Sequence, residues 1–131
     1  MNGPGKIKNV AVIGAGLMGH GIALEFAAHG RSVSIHDRSE EVLLDAMQRA
    51  RVGLLALARA DRIPEDEVEA SLARIGANGD LGEAVRNADL VIEAVSENLD
   101  LKKTIFENID ANAPSHAILV SNTSTFLPSA V

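Results

Sequence analysis

The sequence predicts a doubly wound parallel α/β sheet, and three observations lead there. Short apolar runs alternate with helical patterns along the chain: strand, helix, strand, two helices, strand, short helix, strand, helix, strand. The runs are apolar throughout, which suits strands covered on both faces. Only three residues are aromatic, all Phe, so Ala, Val, Leu and Ile must fill the interior.

Each element has its own signal. Ile7 to Ile13 is β-branched and stopped by Gly14, which reads as a buried strand. A helix starts at Leu17, with Met18, Ile22 and Phe26 on one face and His29-Gly30 closing it. "SVSIHD", Ser32 to Asp37, is a second strand ending in an acid. Ser39 is an N-cap for a long helix with Leu43, Ala46, Ala50, Leu54 and Leu57 on one side. "IPEDEVEASLARI" starts another helix, its early acids suited to the positive end of the helix dipole and Val68, Leu72 and Ile75 forming its stripe.

Ile75 to Asn78 reads as a brief third strand and Leu81 to Asn87 as a short helix. "ADLVIEAVS" and "AILVSN" are apolar strands on either side of a helix from Leu99 to Asn112. About forty residues separate the second and third strands, where one crossover helix suffices. The helical pair that fills this gap is expected to project from the sheet.

At 131 residues the chain is expected to form one domain, 1–131, able to remove roughly two-thirds of its surface from water. A net charge of −6 offers no basic stripe for a nucleic acid. The lack of cysteine excludes disulfides and thiolate metal sites. No apolar run approaches membrane-spanning length, and "MNGPGKIKN" has no signal-peptide core. The expectations are a cytoplasmic protein with no nucleic-acid or membrane partner and no metal.

The chemistry centres on Gly14, Gly16 and Gly19, a G-x-G-x-x-G between the first strand and the first helix. That spacing is weak alone; the strand before, the helix after and the acid ending the next strand give it the context of a dinucleotide fingerprint. Gly14 allows the tight turn, Gly16 the approach of a pyrophosphate, and Gly19 close packing of helix on strand, which Gly21 extends. Gly14, Ala15, Gly16, Leu17, Met18 and Gly19 then form the turn whose main-chain N–H groups face the phosphates. Asp37, 18 residues beyond Gly19, is placed to accept both adenosine-ribose hydroxyls and to repel a 2′-phosphate. This favours NAD over NADP, although the neighbouring Arg38 could offset the repulsion.

"VAVIGAGLMGHGIA", "ADLVIEAVSENLDLKK" and "ILVSNTST", in that order, resemble the NAD-binding Rossmann domain of the 3-hydroxyacyl-CoA dehydrogenase family, over about Lys6 to Pro128. The resemblance implies a parent enzyme of fatty acid metabolism that moves hydride from a 3-hydroxyacyl-CoA to NAD. It places Glu97 and Lys102 at the nicotinamide ribose, Ser124 beside the nicotinamide and on the substrate's 3-oxygen, and Asn122 in the same loop with a positioning role.

It also places the catalytic His and its Glu downstream of Val131, and a helical dimerisation domain beyond them. His20, His29, His36 and His116 match no catalytic position and read as surface or packing residues. The isolated chain is accordingly expected to be inactive or very slow, since a lost general base costs about 10² to 10⁴ in rate. Where the family contacts coenzyme A with a Ser and a Lys, this chain has the region of Gly53 and Ala60, with Arg59 and Arg62 nearby. Two alternatives stay open: a dehydrogenase of a free hydroxy acid of gulonate or carnitine type, and a stand-alone NAD-binding module.

Overall fold

The computed structural model describes residues 7–95 and 99–121. Its element order is β1 (Asn9–Ile13), α1 (Leu17–Ala28), β2 (Ser32–His36), α2 (Glu40–Arg59), α3 (Glu67–Ala73), β3 (Ile75–Asn78), α4 (Leu81–Val85), β4 (Leu90–Glu93), α5 (Leu99–Asn112) and β5 (Ile118–Ser121). The five strands form one sheet in the order β3-β2-β1-β4-β5, all parallel. This is the doubly wound sheet expected, and its strand order reverses between β1 and β4.

The apolar runs of the central strands β1 and β4 are buried on both faces because helices cover both. Val10 and Val12 of β1, with Leu90 and Ile92 of β4, join Leu24, Leu43 and Leu54 in the larger core under α1, α2 and α3. Ala11 and Ile13, with Val91, point the other way and meet Val85 and Ile109 of α4 and α5. Register holds Val12 beside Ile35 on one side and Ile92 on the other.

Ser39 caps α2 as the sequence signals, and α4 has a cap of the same kind. Ser39 Oγ accepts the Val42 N–H at 3.2 Å, and Asp80 Oδ1 accepts the Glu83 N–H at 3.2 Å.

Three expectations are corrected. The helical pair packs on the domain instead of projecting: Leu43, Ala46, Ala50 and Leu54 of α2 and Val68 of α3 all belong to the larger core. In α1, Ala23, Leu24 and Ala27 are buried and Ile22 and Phe26 pack partly buried against the same core, while Met18 is 58% exposed. That helix is apolar around most of its circumference, so its periodicity selects no face. A side chain at Gly21 would meet nothing within 4 Å, so this glycine adds no close packing.

The last strand, apolar as it is, lies at the sheet edge. Ile118, Leu119 and Val120 are 45%, 45% and 46% exposed. Among the described residues, no helix is long and apolar enough to cross a membrane, and no cluster of potential metal ligands occurs.

Candidate functional site

At the carboxyl end of the sheet, above the reversal between β1 and β4, lies a cleft of about 380 Å³. Ile13, Gly14 and Gly16 form its floor. His36, Asp37, Arg38 and Val42 form the wall on the β2 side, and Ala94, Val95, Leu101 and Ile105 the wall on the β4 and α5 side.

The floor explains its own composition. Gly14 has φ +108°, a left-handed conformation that strains any side chain, and an added Cβ would lie 2.8 Å from the Ala94 carbonyl. Its N–H donates to the His36 carbonyl at 2.7 Å, which ties the turn to the end of β2. A Cβ on Gly19 would collide with the Gly14 carbonyl, so the first turn of α1 sits directly on the loop. Gly16 differs: a Cβ there would meet nothing within 4 Å of this chain. It is the N-cap of α1 and supplies no side-chain cap. The helix therefore presents its positive end to the cleft across an open surface.

Asp37 joins this floor to the β2 wall. Its Oδ2 accepts the Ala15 N–H at 3.1 Å and its Oδ1 the Ser39 N–H at 3.0 Å. Each carboxylate oxygen has a second lone pair, so ribose hydroxyls can still be accepted. Arg38 lines the cleft beside it. Ala15 is buried at 3% exposure, and Met18 projects outward from the turn. Leu17 opens α1.

The β4 side holds a residue that sequence reasoning missed. Glu93 ends β4 and is wholly buried with Lys102 of α5. Their charged groups meet at 3.0 and 3.1 Å. Lys102, placed at the cofactor ribose by resemblance, is thus found inside the domain. The sequence carries a signal for Glu93, the lone acid within the apolar run "LVIEAV". Glu97, Asn122 and Ser124 lie outside the described residues.

The four histidines are held by local partners. Nδ1 of His20, His29 and His36 donates to the carbonyls of Gly16, Glu25 and Asn78, and His116 Nε2 pairs with Asp89 Oδ1 at 2.9 Å. Of these, His36 lines the cleft.

Comparison with known proteins agrees with this geometry. Residues 9–131 match the family model described as "3-hydroxyacyl-CoA dehydrogenase, NAD binding domain". The mitochondrial hydroxyacyl-coenzyme A dehydrogenase of Rattus norvegicus is 37% identical over 124 residues, covering 91% of this chain and 40% of the relative. Among solved structures, a diketoreductase acting on dicarbonyl compounds superposes with a TM-score of 0.87 at 39% identity, over 99% of this chain and 45% of that one. The 3-hydroxybutyryl-CoA dehydrogenase of Escherichia coli K12 gives 0.86 at 35% identity, over 95% and 26%. The chain thus spans less than half the length of these proteins. It belongs to the 3-hydroxyacyl-CoA dehydrogenase family, as that family's NAD-binding domain.

Proposed function

We propose that this chain is the cofactor domain of an enzyme that oxidises an L-3-hydroxyacyl-CoA to the 3-ketoacyl thioester. The observation that carries the reading is the pairing of an open, glycine-capped helix end with the adjoining Asp37 carboxylate in one cleft. When bound, NAD supplies the carbon that accepts the hydride leaving C3 of the substrate.

The chain's own residues bind and orient. The turn from Gly14 to Gly19 offers main-chain N–H groups to the pyrophosphate, with Gly16 leaving room for its approach. Asp37 accepts the adenosine-ribose hydroxyls and repels a 2′-phosphate, with Arg38 beside it. Glu97 serves the nicotinamide-side ribose, Lys102 stays inside the domain in its pair with Glu93, and Ser124 with Asn122 orients the substrate's 3-oxygen. The hydroxyl proton passes to a general base, the role that the sequence resemblance gives to a His beyond Val131. The parent pairs as a homodimer through its helical domain and works in the cytoplasm.

Calorimetric titration with NADH and NADPH tests the binding half of this reading. Clear preference for NADH supports it; equal affinity removes the role of Asp37. A second reading, a reductase of a free carbonyl compound, is favoured by the 39% identity to the diketoreductase. Assaying the full-length protein with acetoacetyl-CoA and with a free diketone separates the two.

A further inference from the structure

The most completely buried ion pair among the described residues stands beside the cleft, not in it. Glu93 and Lys102 have side-chain exposures of 0% and 1%. An ionised carboxylate offers about four acceptor positions, and here donors engage both oxygens. Oε1 accepts from Lys102 Nζ at 3.1 Å and from Ser121 Oγ at 2.6 Å. Oε2 accepts from Lys102 Nζ at 3.0 Å and from the Val95 N–H at 2.7 Å.

These donors come from three places: the segment after β4, the first turns of α5, and the end of β5. Two of the three belong to the cleft wall. Val95 lines it directly, and Lys102 lies between Leu101 and Ile105, which line it too.

A buried ion pair is often no more stabilising than apolar side chains filling the same space. The neighbours of Glu93 in β4, Val91 and Ile92, show that the strand accepts apolar residues. A carboxylate does something an apolar group cannot: it fixes the direction of the Val95 N–H, the seating of α5 and the end of β5 on one point.

We infer that Glu93 is a positioning residue of the cofactor cleft. Through Val95, Lys102 and Ser121 it holds the β4–α5 wall in the shape that receives the dinucleotide, without touching the ligand. This rests on the dinucleotide reading above.

The test uses the 15N-labelled chain with Glu93→Gln and Ser121→Ala. NADH affinity is measured well below each variant's melting temperature, and amide hydrogen exchange is followed in the same samples. Loss of well-aligned bonds to the carboxylate is expected to weaken NADH about tenfold in Glu93→Gln and about threefold in Ser121→Ala. The Ala15 and Gly14 amides, bonded to Asp37 and to the His36 carbonyl on the other side of the cleft, should keep wild-type protection.

Folded variants that bind NADH within about twofold of wild type overturn the inference, given what such bonds contribute. So does an affinity loss that comes only with lost protection at Ala15 and Gly14, because that is general loosening. If Glu93→Gln does not fold, Ser121→Ala decides, since it removes one tie without leaving a charge unpaired. A wild-type chain that binds no NADH at all refutes the dinucleotide reading itself.

Discussion

The Asp37 carboxylate accepts the Ala15 N–H at 3.1 Å, joining the end of β2 to the glycine turn across 22 residues of sequence. One acid thereby shapes the cleft floor and presents charge to its rim. Asp37→Ala should weaken NADH by about 10- to 100-fold, the worth of bonds to a charged acceptor. NADPH should lose much less, because a repulsive charge goes with the attractive one. Parallel titrations read both, and an unchanged ratio of the two affinities would contradict this role.

The three glycines of the turn should separate by function. Gly14→Ala forces a side chain into a left-handed conformation and against the Ala94 carbonyl, costing about 1 to 3 kcal/mol of stability. Gly19→Ala drives a methyl into the Gly14 carbonyl and should be at least as damaging. Gly16→Ala has open space and should fold normally yet lose NADH affinity. Urea denaturation with NADH titration distinguishes them; a Gly16→Ala protein that binds as wild type would show that no ligand approaches there.

Removing the cation from the buried pair should be costly. Lys102→Ala leaves the Glu93 carboxylate without its charged partner inside the core, a loss of about 3 to 5 kcal/mol. Exposed pairs such as Arg49 with Asp45 should give about 0 to 1 kcal/mol on the same assay. Equal losses at the two sites would mean that the interior pair is better solvated than its burial implies.

At the opposite end of the sheet, Asp89 clasps the start of β1. The Lys8 and Asn9 main-chain N–H groups, and then His116, hold its carboxyl below the ordinary carboxylate value. A depressed folded-state pKa gives stability that is fully present above the unfolded-state pKa. It is lost as pH falls through the folded-state value. Asp89→Asn should therefore cost on the order of 1 kcal/mol near neutrality. The gap between the two proteins should close below about pH 4. Denaturation curves at pH 7 and pH 3 check this, and a gap that widens in acid would have the wrong sign.

The fold was legible because its signals are local. Apolar runs such as Val10 to Ile13, caps such as Ser39 and the glycine spacing each carry their reason in a few residues. What escaped depends on neighbours distant in sequence. Glu93 is meaningful only beside Lys102 and Ser121, and its place at the strand end appears once β4 and β5 are paired. The spacing puts Met18 on the inner face of α1, yet Met18 is exposed, because that helix is apolar around most of its surface. The length of the helical pair alone predicts that it projects, because length says nothing about what Leu43 and Leu54 touch. Gly14, Gly16 and Asp37, by contrast, meet in one cleft as the motif requires.

The most direct test of the central claim is an amide NMR titration of the chain with NADH. The account requires saturable shifts at Gly14, Ala15 and Gly16, together with Ser39 beside Asp37 and Val95 on the facing wall. Shifts confined to other surfaces, or none at millimolar NADH, would contradict it.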